Sequence, residues 1–142
     1  MHPKSDPEAE AILREISLGK GFNGWLQMEL IRAGHGSCEV AIPIAPPTRQ
    51  HHGFAHGGVV GALADIATTW AAATLAGDVV TNAYTIQFLA PATEDRLLAR
   101  GEVIKRGKRT VSVEGRVFSV AQSGEEKLVA VSLASITPVG PG

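Results

Sequence analysis

The sequence predicts an α+β domain in which a curved antiparallel sheet wraps one long helix. Three observations predict it. Residues 57–76 form an almost wholly apolar run of helical length that holds a single charge, Asp65. After Gly77 the chain reads as β to its end, in four segments separated by short turn-forming stretches. The apolar run has no polar face, so a sheet must curve round it to hide it.

The elements follow in order. Ser5 or Asp6 caps a first helix over about 6–18, with Pro7 and Glu8 in its opening turn and Ala9, Ile12, Leu13 and Ile16 on one face. Gly19 and Gly21 end it. Two strands are expected over 25–31 and 37–44. The second alternates Cys38, Val40, Ile42 and Ile44 against Glu39, Ala41 and Pro43. Pro43 marks an edge or a strand end, since it cannot donate to a ladder. Residues 45–54 form a loop rich in Pro, His and Gly. The long helix over about 57–76 stops at Gly77. Four strands then occupy 81–89, 97–105, 110–120 and 128–137. The short connections at 106–108 and 122–125 make these neighbours antiparallel hairpins. The tail, 138–142, is expected to fray. The length suits one domain over 1–142, without internal repeats. A helix apolar all round needs more cover than one small sheet gives, which favours a dimer whose second copy closes the rest.

Composition narrows the function. Thirteen basic residues against fourteen acidic ones give a net charge of -1, which argues against nucleic-acid binding through a strong overall positive field. The lone cysteine, Cys38, excludes an intrachain disulfide, and the polar N-terminus lacks the apolar core of a secretory signal. Both point to the cytoplasm. Residues 59–76 imitate a membrane span, but a central Asp costs on the order of 3 kcal/mol on insertion, so a buried soluble helix is the better account.

The chemistry gathers in RQHHGFAHGGVVGALAD, residues 49–65. A carboxylate in an apolar helix must find partners or raise its pKa. Thr69, one turn on, shares the face of Asp65 and offers a hydroxyl. Gly57 and Gly58 stand where the helix opens and its first N–H groups lack internal partners. Without side chains in the way, those donors can meet a substrate oxygen, helped by the positive end of the helix dipole. The same glycines would also suit a tight turn into the helix. A phosphate loop fits less well, with no GxxxxGK[ST] and no GxGxxG before the helix. His51, His52 and His56 do not match a metal-ligand spacing, and adjacent histidines in an extended loop point apart. His56 is expected to cap or buttress the helix entrance. No serine lies in the segment and no GxSxG occurs, which argues against a serine hydrolase triad.

HGG followed by an acid at Asp65, after a short helix and two strands, resembles the hotdog-fold acyl-CoA thioesterases. The resemblance is to the phenylacetic-acid-degradation (PaaI-like) and 4-hydroxybenzoyl-CoA thioesterase subgroup. It spans roughly 36–138 and includes IQFLAPA (86–92) and VIKRGKRTVSVEGRVF (103–118). It implies hydrolysis of an acyl-CoA to free CoA and a carboxylic acid. No metal and no separate cofactor are implied, CoA being part of the substrate. By the same resemblance Asp65 is the nucleophile or general base, and the Gly57 N–H polarises the carbonyl. Gln50 orients water or the thioester, and Thr69 positions the carboxylate or water. Some relatives carry Glu at the acid, and the shorter arm of Asp65 favours water activation. His56 and Gly58 fall on the substrate side. Thr81 or Asn82 falls near a serine that some relatives supply from the partner subunit. Four cations in 105–109, among them Arg106, Lys108 and Arg109, suit CoA phosphates or simply a solvated hairpin turn. The family implies a homo-oligomer, either a dimer or a dimer of dimers (a homotetramer). Two rivals remain: an enoyl-CoA hydratase or dehydratase on the same fold, using one of the histidines, and a non-catalytic acyl-CoA-binding module.

Overall fold

The computed structural model describes residues 3–140. Helix α1 spans Pro7–Ser17, with Asp6 as N-cap accepting from the Glu8 N–H at 3.1 Å. Of its expected apolar face, Leu13 is buried, but Ile12 and Ile16 remain exposed because α1 lies on the surface of the fold by one flank only. Strand formation starts later than the sequence suggests. Gly21–Trp25 forms a short helix, α2, and Gln27 then takes a left-handed conformation (φ 57°). The first strand, β1, therefore covers Glu29–Gly34 rather than beginning at Trp25. The Gly19 and Gly21 that stop α1 also permit this second turn, both having positive φ.

Strand β2 (Ser37–Pro43) is followed by a short 3-10 turn, helix α3 (Gly57–Ala76), and strands β3 (Val79–Phe88), β4 (Arg96–Arg106), β5 (Val111–Val120) and β6 (Glu126–Pro138). They make a six-stranded sheet in the order β1-β2-β4-β5-β6-β3, antiparallel at every pair. Pro43 proves to be a strand end, not an edge, since β2 lies between β1 and β4. The expected frayed tail starts too early: Pro138 still pairs with Val79 in the ladder, and 141–142 lie outside the described residues.

Helix α3 is the axis of the core. Val60, Leu63, Ala64, Ala67, Trp70 and Ala71 are buried on it, against Val40, Ile42, Leu97, Val113, Val117 and Ile136 of the sheet. Two glycines set how closely it lies. Gly101 and Gly115 pair across β4 and β5, and a methyl group at Gly101 would overlap the carbonyl of Ala67. At Gly115 it would sit 3.0 Å from the Thr68 methyl. The sheet thus carries a notch into which the helix backbone settles. Gly77, with φ 74°, takes the turn that a side chain would strain and ends the helix where expected. By length and composition α3 could cross a membrane, but half of that apolar window is buried within the fold, as in a core helix of a soluble protein.

The sheet does not close. Strand β3 pairs only with β6 and leaves its other edge free, with Val80, Tyr84, Phe88 and Leu89 exposed along it and just beyond. One flank of α3 faces this open side, and it is the flank that carries the polar residues.

Candidate active site

Helical spacing puts Gly57, Gly61, Asp65 and Thr69 on one stripe of α3, each four residues from the next. Strand β3 runs beside that stripe in the opposite direction. Phe88 lies against Gly57, the Tyr84 hydroxyl against Gly61, and Thr81 against Asp65. The site is therefore a seam between one helix face and one edge strand.

At the middle of the seam the Thr81 hydroxyl donates to Asp65 Oδ1 at 2.7 Å. Thr69 Oγ1 stands 2.7 Å from Thr81 Oγ1 and 3.3 Å from Asp65 Oδ1. A hydroxyl has one proton to give. With the Thr81 proton spent on the carboxylate, the short Thr69–Thr81 contact is made by the Thr69 proton. The hydroxyls form a relay, Thr69 to Thr81 to Asp65, that fixes one carboxylate oxygen. Asp65 Oδ2 makes no hydrogen bond to any described residue and is free to act.

At the start of the seam His56 is the N-cap. Its Nδ1 accepts from the Gly58 N–H at 2.9 Å, and its carbonyl accepts from Val59 and Val60. An accepting Nδ1 puts the proton of the neutral imidazole on Nε2. The Gly58 amide, expected on the substrate side, is thus already occupied. The Gly57 N–H is left without a partner among the described residues, and the Phe88 ring lies on the side where a Gly57 side chain would project. His56 therefore selects which amide at the helix end stays open.

The loop before α3 is pinned by its own backbone. His56 N–H bonds to the Thr48 carbonyl, Ala55 N–H to the Ala92 carbonyl, and the Arg49 guanidinium to the carbonyls of Gly53 and Ile44. The Gln50 side chain accepts from the His52 N–H within the loop, so one chain alone does not bring it to Asp65. His51 and His52 do not point apart as expected. Their ring centroids are 4.0 Å from one another because 51–52 forms a turn and not an extended segment, and His52 stacks on Phe54. Among the described residues no three His, Cys, Asp or Glu converge as metal ligands.

Thr81 and Asn82, equivalent in the sequence, separate here. A bulge between Thr81 and Ala83 turns Thr81 to the helix, whereas the Asn82 amide bonds to Thr137 Oγ1 on β6. Thr81 belongs to the carboxylate. Period-two reasoning could not see this, because the bulge breaks the period.

Two cavities flank the seam. One, of about 380 Å³, lies beside Gly57 and is lined by Phe54, Val60, Phe88, Leu89 and Val129 with residues 90–92. The other, of about 460 Å³, lies at the far end of α3, where Arg106, Lys108 and Arg109 of the β4–β5 hairpin face Thr137 and Pro138. Sequence reasoning found the cations but not the apolar cavity, whose walls come from three separate segments.

The family model for the thioesterase superfamily matches residues 52–124, just over half of the chain and all of the seam. The chain belongs to the thioesterase superfamily. Solved structures of similar shape match most of the fold. A thioesterase family protein from Silicibacter pomeroyi is 25% identical with a TM-score of 0.80, covering 92% of this chain and 94% of that one. The Escherichia coli PaaI protein of the phenylacetic acid degradation operon is also 25% identical with a TM-score of 0.80, covering 94% and 92%. A single-site variant of the phenylacetic acid degradation protein PaaI from Thermus thermophilus is 28% identical with a TM-score of 0.75, covering 83% and 98%. No curated protein matches the chain. This superfamily member has the hotdog fold, α3 being the helix that the sheet wraps, and is PaaI-like.

Proposed function

We propose that this thioesterase-superfamily protein hydrolyses an acyl-CoA to CoA and a free carboxylic acid. The observation that carries the proposal is Asp65, with one oxygen fixed by the threonine relay and the other free. Water attacks the thioester carbonyl as it gives a proton to Asp65 Oδ2. The oxyanion forms against the Gly57 N–H at the positive end of α3. Collapse breaks the C–S bond, and the departing thiolate takes the proton from Asp65. Direct attack by Oδ2 would instead break the C–S bond, expel the CoA thiolate and form a mixed anhydride; water then opens it to the carboxylic acid and Asp65, its proton passing to the thiolate. Single turnover in H₂¹⁸O tests for the anhydride, since label in Asp65 arises only when water opens an anhydride at the aspartyl carbonyl.

The proposed chemistry calls for two copies. Eight residues separate Gly57 from Asp65, which at a helical rise of 1.5 Å puts them about 12 Å apart along α3. An oxyanion donor and a catalytic carboxylate must each come within roughly 3 Å of the reacting group. One chain cannot bring both to one thioester. Two copies joined along the free β3 edge, with helices antiparallel, set Gly57 of one against Asp65 of the other, twice. The exposed Val80, Tyr84, Phe88 and Leu89 are the apolar surface such a dimer covers. Gln50, held near the Gly57 end, then faces the partner's carboxylate and not its own. A dimer of dimers would repeat this unit.

The cations take the other end of the substrate. Eleven residues of α3 separate Asp65 from Ala76 at the basic cavity, about 16 Å by helical rise, a span that an extended pantetheine arm can bridge. Arg106, Lys108 and Arg109 suit the CoA phosphates as charge-assisted donors.

The test is thiol release from a panel of acyl-CoAs by the native protein and by Asp65→Ala. Turnover that Asp65→Ala abolishes, with fold and assembly unchanged, supports the reading. Normal turnover in that variant refutes the assignment. Water addition to an enoyl-CoA without thiol release would move the protein to the hydratases.

A further inference from the structure

We infer that the acyl group handled by this protein is neutral and apolar, and that it occupies the cavity beside Gly57. The inference rests on the assignment of the Gly57 N–H as the donor to the thioester carbonyl. Gly57 is itself part of the wall of that cavity, so a carbonyl held by its amide projects one substituent directly into it.

The walls decide the chemistry. Every side chain lining the cavity is apolar: Phe54 from the loop, Val60 from α3, Phe88 and Leu89 from the end of β3, and Val129 from β6, with Pro91 and alanines between. None of these lining side chains is charged or hydroxylated to receive a carboxylate, and burying an unpaired charge among them is strongly unfavourable. At about 380 Å³ the space falls at the small end of ligand pockets, roughly 300–1,000 Å³. Phe88 closes its seam side, its ring reaching to within 3.5 Å of where a side chain at Gly57 would begin.

The other cavities give the converse. The cleft at the far end of α3 carries three cations, and the one between α1 and α3 is edged by Asp6, Glu8 and Asp78. An acyl-CoA has one polyanionic end, which the three-cation cleft suits, whereas the arginines of the cleft at Arg32 and Arg100 are already paired with Glu39 and Glu126. The apolar cavity at Gly57 is left for the acyl end. Leu89 and Phe88 are more than half exposed in a single chain, so a second copy along β3 would deepen the cavity.

The test compares hexanoyl-CoA with adipoyl-CoA, which differ at the acyl terminus by one carboxylate. We expect kcat/KM for hexanoyl-CoA to exceed that for adipoyl-CoA by about 100-fold, the cost of a buried unpaired charge. Across acetyl-, butyryl- and hexanoyl-CoA it should rise by about fourfold for each methylene buried. Ala90→Phe, which fills the cavity, should lower the hexanoyl-to-acetyl ratio about tenfold. Equal or better hydrolysis of adipoyl-CoA, or an unchanged ratio in Ala90→Phe, would overturn the inference. If neither thioester is hydrolysed, the thioesterase reading fails, and titration with S-hexyl-CoA and S-(5-carboxypentyl)-CoA decides the cavity separately. Tighter binding of the hexyl compound by about tenfold or more supports it. Equal affinity overturns it.

Discussion

Thr81 on β3 donates its hydroxyl to the Asp65 carboxylate on α3 at 2.7 Å, tying the edge strand to the one acid in the core helix. Thr69 reaches the carboxylate chiefly through Thr81, so the two threonines are unequal. Thr81→Val removes the donor and strands the Thr69 proton. It should lower kcat by about 10–100-fold, the worth of a hydrogen bond to a charged group, with little change in KM. Thr69→Val should cost less, and Thr81→Ser should restore most of the loss. A Thr81→Val enzyme changed only in KM would show that Thr81 contacts substrate and does not position Asp65.

The Gly57 amide can be removed without removing the helix. Gly57 is the first residue of α3, where proline is well tolerated, and His56 has the extended backbone (φ -63°, ψ 137°) that a following proline requires. Gly57→Pro should therefore fold and lose about 100–1,000-fold in kcat, the usual effect of deleting an oxyanion donor. Gly57→Ala keeps the amide, and its methyl would meet only Phe88 at ordinary contact distance (3.5 Å). It should stay within about tenfold of the native rate. Equal losses in both variants would show that backbone strain, not the N–H, is responsible.

If the hairpin cations hold the CoA phosphates, they are separable from the chemistry. Replacing Arg106, Lys108 and Arg109 together by Ala should raise KM for an acyl-CoA about tenfold and weaken its salt dependence. The N-acetylcysteamine thioester of the same acid, which has no phosphates, should be hydrolysed as by the native enzyme. Equal effects on both substrates would take the hairpin out of the CoA site.

An ion-pair chain on the outer face of the sheet sets an acid limit to stability. Arg100 bridges Glu39 at 2.6 Å and Glu126 at 2.7 Å, and its guanidinium lies over the Phe118 ring. The hydrogen bonds from Arg100 hold the Glu126 carboxyl below the usual carboxylate range. Because the folded pKa is depressed, this stabilisation is present above the unfolded value and is lost as pH falls through the folded one. The pair is partly solvated, so Glu126→Gln should cost about 0.5–1 kcal/mol at neutral pH and almost nothing below the carboxylate range. Thermal melts of both proteins from neutral to acid pH check this. A difference that persists in acid would assign the effect to packing.

The axis of this protein was legible, and its seam was not. Helix α3 could be read to the residue from Gly57 to Gly77, since one apolar run bounded by glycines leaves a single solution. His56 as the cap and Thr69 on the face of Asp65 follow from helical spacing alone. Strand β1 was misplaced because Trp25 and Leu26 look like strand residues, whereas positive φ at Gly21 and Gln27 makes room for α2. The choice of Thr81 over Asn82 depends on a bulge. The apolar cavity depends on the approach of 88–92 to α3. Both are long-range facts that no local pattern records. Spacing did contain one unread signal: eight residues of helix put Gly57 and Asp65 about 12 Å apart along α3.

That separation is the central claim, and mixing two inactive proteins tests it most directly. Asp65→Asn and Gly57→Pro, each inactive alone, are unfolded together, refolded, and assayed for thiol release. If each site takes its amide from one copy and its carboxylate from the other, half of the dimers are mixed and one of the two sites in each is intact. Activity should then return to about one quarter of the native value. A mixture shown to contain mixed dimers but as inactive as its components would contradict the account.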